Sequence, residues 1–396
     1  DTGGMNRHAR TSPVCPLSND QITAAALTIL SGALLHAKTE LSIAMAVLGL
    51  VHAQRLSVTA IGTALARVTG HDAKHGVKQV DRLMSNDGFA MEDCLRAYVQ
   101  AVMGARKSVL VAMDWTEFAL DGHSTICLYM VSNHGRATPL VWLTVKTSGL
   151  KGRRNRHEDD LLQLFKNCLP KRPKPMTVIV LADRGFGDVA LYAELEEQLG
   201  FHFVIRFRCN VLVDYGGERK RADEWLSGAG GERLLLRRAK LTGSRREVTS
   251  FVAVHDPAMK EPWFLASSLR GSITAITKLY ARRFTIEETF RDQKDMRFGW
   301  GLYDVQVTQV LRRDRLLFLA AVTQVILTLL GSAGEQLGLD RTLRVNTATK
   351  SRTHSLLRQG REYIKGLLGG VADKISVMFD QMFRRLASNT AERAEI

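Results

Sequence analysis

Three acidic residues stand at places from which carboxylates could work together. Asp114 closes the apolar run Val111-Ala112-Met113, Asp183 closes Val180-Leu181-Ala182, and Glu287 follows far downstream in Ile286-Glu287-Glu288. A carboxylate at the end of a buried strand costs free energy unless a positive group meets it. Taken singly, each aspartate reads most simply as a cap or as half of an ion pair. Taken together, the three are hard oxygen donors of the kind that hold Mg²⁺. The chemistry such a set serves is displacement at an anionic phosphodiester, where two divalent cations activate the attacking oxygen and stabilise the leaving one.

The glutamate lies in the stretch Tyr280-Ala281-Arg282-Arg283-Phe284-Thr285-Ile286-Glu287, which continues to Lys294. At about 100° per residue, Tyr280, Arg283, Glu287 and Lys294 fall within roughly 60° of one helix face. A phenol, a guanidinium, a carboxylate and an ammonium thus share a stripe. The plainer reading is a solvated face on which Arg283 and Glu287, four residues apart, pair with each other.

The elements that must carry these residues can be read from pattern. Ser108 to Trp115, Ile126 to Val131 and Thr138 to Lys146 are strand-like, with a turn through Asn133-His134-Gly135. His157 to Leu169 reads as a helix, Thr177 to Ala182 as a buried strand, the stretch from Asp188 to Leu199 as a capped helix, and Phe201 to Arg208 as a fifth strand. Three strands in a meander, then helix, strand, helix, strand, is the order of an RNase H-like core, expected over residues 106–208. Residues 209–271, rich in Gly and Arg with short alternating runs, read as a β-rich insertion. Helices are expected from Ile273 to about Arg297 and from Val305 to Gly331, completing the core over 272–335. Residues 336–396 form a basic, partly helical C-terminal region with a possible role in dimerisation.

Residues 20–105 carry apolar residues at helical spacing throughout. Ser57 is placed to cap one short helix, and Gly70 breaks before a second that bears His71, Lys74, His75, Lys78, Gln79 and Arg82. That resembles a helix-turn-helix presenting a basic face to DNA, although a small helical bundle with a basic surface would look alike. The expected fold class is therefore α/β: an RNase H-like catalytic domain with a β-rich insertion, preceded by an all-helical DNA-binding domain and followed by C-terminal helices.

Composition bounds the partners. The 396 residues hold 55 Lys+Arg against 40 Asp+Glu, a net charge of +15, which favours a polyanion such as nucleic acid. The 5 cysteines are scattered singly, which argues against a disulfide framework or a zinc module and for a reducing compartment. The apolar runs Ile22 to Ala37 and Leu316 to Leu330 contain polar residues and read as buried helices rather than spans, so no membrane is expected. No signal-peptide pattern opens the chain, and a cytoplasmic location is expected.

The stripe residues carry a resemblance. Tyr280, two residues, Arg283, three residues, Glu287, six residues, Lys294 matches in type and in every gap the signature of the insertion-sequence-four family of DDE transposases. Asp114-Trp115-Thr116 and Asp183-Arg184-Gly185-Phe186 also look like that family's strand motifs, and the resemblance spans residues 20–335. It implies that Asp114 bridges two Mg²⁺ ions, for which Mn²⁺ can substitute, while Asp183 and Glu287 each hold one. It also implies a cut-and-paste reaction: water frees a 3′-OH at the element's end, a hairpin forms and reopens, and the 3′-OH joins target DNA. Tyr280, Arg283 and Lys294, with Arg184 beside the second aspartate, would contact DNA phosphates. A flipped base would be held near Trp225 or Trp263, between which the motif does not choose. The basic clusters containing Arg153, Arg154, Arg237 and Arg238 would add backbone contacts. The implied partners are double-stranded DNA (terminal inverted repeats and target) and a second copy of the chain in a synaptic homodimer, in a bacterial, nucleoid-associated setting. Two other readings stay open: another RNase H-like nuclease, and a non-catalytic DNA-binding regulator.

Overall fold

The computed structural model describes residues 13–227, 231–295, 299–344 and 352–391. The chain opens with α1 (Asn19–Leu30), α2 (Ala37–Ala53), α3 (Val58–Thr69), α4 (Ala73–Met84) and α5 (Met91–Met103). Local chemistry sets their ends. Ser18 and Gln21 form a reciprocal capping box at α1. The Ser57 hydroxyl accepts from the Ala60 N–H at 3.1 Å, and Gly70, at φ 73°, ends α3 in the left-handed region. Between α3 and α4 the backbones touch: a Cβ on Gly76 would lie 2.1 Å from the Gly62 carbonyl oxygen. Gly76, Val80, Leu83 and Met84 form the buried side of α4, while His71, Lys74, His75, Lys78, Gln79 and Arg82 are exposed.

The sheet-forming region begins with β1 (Ser108–Phe118), β2 (His123–Met130) and β3 (Thr138–Lys146), followed by α6 (Arg154–Cys168), β4 (Thr177–Ala182), α7 (Val189–Ala193) with a π turn to Gln198, and β5 (His202–Phe207). Then come β6 (Leu212–Tyr215), β7 (Glu218–Arg221), β8 (Glu232–Leu241), β9 (Arg246–His255) and β10 (Trp263–Ser267). All ten strands form one sheet in the order β3-β2-β1-β4-β5-β10-β9-β8-β6-β7. β1, β4 and β5 run parallel, and their cores are apolar on both faces, as strands covered on both sides require. The segment read as an insertion does not leave the sheet. It extends the sheet from β5 outward, with β10 returning to pair antiparallel with β5 through Phe264 and Phe207.

Helices resume with α8 (Ile273–Ala281), α9 (Thr285–Lys294), α10 (Val310–Gln336), α11 (Leu356–Ile364) and α12 (Gly369–Ala391). The continuous helix expected from Ile273 is instead split by a 3₁₀ turn over Arg282–Phe284; its expected last residues, 296 and 297, lie outside the described residues. Three residues at about 120° instead of 100° overwind the helix by roughly 60°, which turns Glu287 and Lys294 relative to Tyr280 and Arg283. The next helix starts at Val310 rather than Val305 because the Val307 N–H is bound to Asp121 Oδ1 at 3.0 Å. Arg313, fully buried at the foot of α10, pairs with Asp121, donates to His123 Nδ1 at 3.1 Å and lies 3.9 Å over the Phe118 ring. The adjacent Asp314 carbonyl accepts from the Trp142 indole at 3.2 Å.

The chain divides into two compact units, Met103–Arg315 and the combination of Asp1–Val102 with Leu316–Ile396, so the boundary falls inside α10. In the helical unit Phe318 packs edge-on against Phe89 and Tyr98, at 5.8 and 5.9 Å between ring centres. Glycines again allow close approach, here α10 to α11: a Cβ on Gly331 would sit 1.9 Å from the Leu356 carbonyl oxygen. Gln21 on α1 donates to Ser376 and Asp380 on α12 at 2.9 and 3.0 Å. Among the described residues α10 is the single helix long and apolar enough to cross a membrane, and 78% of that stretch is buried within the protein. It is built as a core helix.

Candidate active site

The register of the parallel strands brings two of the acids together. Met113 on β1 is the last residue paired with β4, through Ala182, so Asp114, inside β1, and Asp183, just past the end of β4, stand side by side where the parallel ladder stops. Each carboxylate is steadied by local backbone. Asp114 Oδ1 accepts from the Trp115 N–H at 2.9 Å, and Asp183 Oδ1 accepts from the Gly185 N–H at 2.7 Å, capping the turn Arg184–Phe186.

Glu287 is brought to the same end by α9, whose buried side is Ile286, Thr289, Phe290 and Gln293. The Thr289 hydroxyl donates to the Ala137 carbonyl at 3.0 Å and accepts from the Ala137 N–H at 2.9 Å. Tyr129 on β2 donates to Gln293 Oε1 at 3.1 Å, and Arg136 pairs with Asp292 at 2.5 Å. At the far end Lys294 Nζ donates to the Glu117 carbonyl at 2.7 Å and lies 5.1 Å over the Phe118 ring. The helix is thus fastened at several points to the β1–β3 meander, and Glu287 stands on its open flank with its side chain 52% exposed.

Arg283 joins the set. Its side chain is 7% exposed; Nη1 donates to Asp114 Oδ2 at 3.1 Å and Nη2 to Glu287 Oε1 at 3.0 Å. One guanidinium therefore bridges acids contributed by a strand and by a helix. Burial pushes the Asp114 carboxyl up to about 6; Arg283 pulls it back, and Asp183 and Glu287 add to the rise. Asp183 and Glu287 thus each lie within electrostatic reach of Asp114. Burial works against the charge of Arg283, but Tyr280, Asp114 and Glu287 more than offset it and hold its pKa above the usual value.

Behind Arg283 lies an aromatic wall. Tyr280 is 1% exposed, with its ring 4.9 Å from Trp263, and Trp263 lies 6.0 Å from Phe284. The Arg283 guanidinium lies 4.8 Å over the Phe284 ring. Of the two tryptophans left open by the sequence, Trp263 adjoins the acids' arginine. Trp225 packs elsewhere, against Tyr215 at 6.2 Å and under Lys220 at 4.1 Å.

The remaining cations divide between the site and the rest of the sheet. Arg184 follows Asp183 and pairs with Glu261 at 3.2 Å, and Glu261 also pairs with Arg206 at 2.8 Å. The three line an open cavity of about 730 Å³ with Phe207, Arg208 and Phe264. Arg154 lies 5.2 Å over the Trp115 ring and 3.8 Å from Glu117, and Arg153 is exposed just before α6. Arg237 is turned to the Gly271 carbonyl at 2.6 Å, and Arg238 is exposed beside Glu247 at 2.8 Å; both belong to the sheet extension and not to the acidic cluster.

Sequence reasoning missed several residues that shape the site. Glu158, 7% exposed on α6, accepts from the Trp115 indole at 2.9 Å, and burial pushes its pKa up. Arg206, Glu261, Arg136 and Thr289 were likewise unmarked. The one available signal was Thr289, a β-branched polar residue on the apolar side of α9; the others are charges whose partners lie far along the chain.

The donor set is all carboxylate, with no sulfur or imidazole, which suits Mg²⁺ or Mn²⁺ in kind. Its spacing is another matter. Among the described residues no three His, Cys, Asp or Glu side chains are grouped to hold an ion, and Arg283 occupies the interval between Asp114 and Glu287. No curated protein matches the chain. Residues 106–302 match the family model described as the transposase DDE domain, a match that supports a DDE transposase.

Proposed function

We propose that this chain, carrying a transposase DDE domain, is an insertion-sequence-four type transposase with an RNase H-like core that cuts and rejoins DNA at the terminal inverted repeats of a mobile element. The observation that carries the reading is the placing of Asp114 and Asp183 side by side, each one residue past the last parallel pair of β1 and β4, with Glu287 tied to Asp114 through Arg283. Asp114, Asp183 and Glu287 would hold the two Mg²⁺ ions, which when bound supply activation of the attacking oxygen and stabilisation of the leaving one.

The chain's own groups do the rest. Arg283 offers two parallel N–H donors to a phosphate, and Lys294 adds a point charge at the end of the same helix. Arg184 and Arg206 flank an open cavity that a phosphate backbone could enter, and Trp263, outside that cavity and packed beside Tyr280 and Phe284, presents a ring for a flipped base. Water would cleave one strand and free the element's 3′-OH; that hydroxyl would attack the opposite strand, releasing the flanking DNA and closing a hairpin, and water would reopen it so that the regenerated 3′-OH can displace a 3′-oxygen in target DNA. The basic face of α4 and the cluster at Arg153 and Arg154 hold the duplex. A dimer on paired ends and a place in the bacterial cytoplasm, at the nucleoid, complete the proposal.

The test is incubation with element-end DNA in Mg²⁺ and in EDTA, beside Glu287→Ala. Cleavage and joining are expected in Mg²⁺ alone, with the variant reduced by at least ~10³-fold while still binding DNA. Mg²⁺-dependent cleavage without joining would instead assign a nuclease. DNA binding without either reaction in the wild type would assign a regulator.

A further inference from the structure

Arg283 already does part of what a divalent ion would do at the same carboxylates. It places a full positive charge between Asp114 and Glu287, bonded to both, in a position 7% open to solvent. An arginine does not give up its proton in a protein, so it cannot be neutralised out of the way as a lysine can. A cation that needs those two carboxylates must displace it. Removing the guanidinium with nothing in its place would leave Asp114 facing Asp183 and Glu287 with their mutual repulsion uncompensated.

We propose that Arg283 is a built-in counter-ion that keeps divalent cations off Asp114 and Glu287 until a DNA phosphate draws it away, so that cation binding and DNA binding are coupled through this one side chain. The inference rests on the reading of the three acids as a cation-binding set. A phosphate is the partner that matches the arginine: it offers two oxygens to the same pair of Nη donors that Asp114 and Glu287 now occupy. The Arg283 Nε, buried and without a partner in the structure, supplies a further donor for that exchange. Each event relieves the cost of the other. Phosphate uptake strips the carboxylates of their counter-charge, and a divalent ion restores it. Coupling of this sort is reciprocal, so DNA strengthens cation binding by the factor by which the cation strengthens DNA binding.

A merely structural Arg283 makes the opposite prediction. If its bonds serve only to seat α9 against β1, losing them scatters the acids and weakens cation binding. Titration of DNA-free protein with Mn²⁺, reading free Mn²⁺ by electron paramagnetic resonance, separates the two. Arg283→Gln is expected to bind Mn²⁺ about 10-fold tighter than wild type, within the usual range of coupling between sites. Arg283→Lys should gain less, because it keeps a charge, and the gain should vanish in the double variant with Asp114→Asn. Equal or weaker Mn²⁺ binding in a folded Arg283→Gln overturns the proposal.

Should Arg283→Gln fail to fold, the milder Arg283→Lys carries the test through a second measurement. The factor by which Mn²⁺ tightens binding of a short duplex is expected to be smaller in Arg283→Lys than in wild type; equal factors overturn the proposal. The outcome is separable from the transposase reading, which stands or falls on wild-type cleavage and joining in Mg²⁺.

Discussion

At the scale of single residues, the centre is a negotiation over charge. Asp114 and Glu287 stand out in the sequence because an apolar run and a helical stripe mark them, although β1 runs on past Asp114 to Phe118, and the pairing of Arg283 with Glu287 follows from their four-residue spacing. The second bond of Arg283, to Asp114, joins residues far apart in the chain and leaves no trace in local pattern. The same holds for the choice between tryptophans, which turns on Trp263 lying on β10 against Tyr280. Trp263→Ala is expected to slow end processing by about 10-fold or more, the scale of one lost base stack, and Trp225→Ala to leave the rate within about 2-fold. Single-turnover cleavage with a fluorescent base analogue at the transferred end measures both, and equal effects would remove Trp263 from its assigned place.

At the scale of elements, position is decided by polar fastenings that pattern does not reveal. The strands β1 to β5 could be read from apolar runs because each is short, β-rich and bounded by turns. The break between α8 and α9 could not, since neither Gly nor Pro marks it. The start of α10 was misplaced because a buried carboxylate on the β1–β2 connection captures a backbone N–H. That helix's foot also carries a testable electrostatic cost. Burial pushes the Asp314 carboxyl up to about 7, with Thr144 hydrogen bonds only partly opposing it. Near pH 4 and below, the folded state carries the neutral acid without penalty. As pH rises from about 4 to 7, the unfolded chain releases a proton that the folded state retains, so this contribution to stability falls. Above about 7 the loss is complete, on the order of 4 kcal/mol at most. Asp314→Asn should therefore gain stability relative to wild type across that window, seen as a flatter fall of thermal midpoint with pH. A pH-independent difference between the two proteins would refute the assignment.

At the scale of the whole molecule, the net charge of +15 needs a surface on which to act. The exposed face of α4 offers Lys74, Lys78 and Arg82, and the Gly62–Gly76 contact seats the helix that presents them. Gly76→Ala, whose new methyl meets a carbonyl oxygen, is expected to unseat α4 and weaken end-DNA binding. Lys78→Ala and Arg82→Ala should keep the fold and each lower the salt slope of binding by about one. Filter binding from 50 to 300 mM salt reads all three, and an unchanged slope in the charge variants would move the duplex off this face. The sheet's full extent was not legible, because strands over 209–271 could be found by alternation but their neighbours could not. Which strand pairs with which is settled by long-range contacts, as when β10 returns to β5.

That return has a practical corollary. The polypeptide departs the parallel core and comes back to it one ladder position away, antiparallel and in register at Phe207 and Phe264. A hairpin joining Arg208 directly to Trp263 through Asn-Gly would close the gap with ordinary turn geometry. The shortened chain should still assemble a six-stranded core with its three acids in place. It would uncover the side of α8 that now rests on β8 and β9. Circular dichroism and light scattering would reveal a folded but sticky molecule, so that the outer strands serve as a removable cover and not as a foundation.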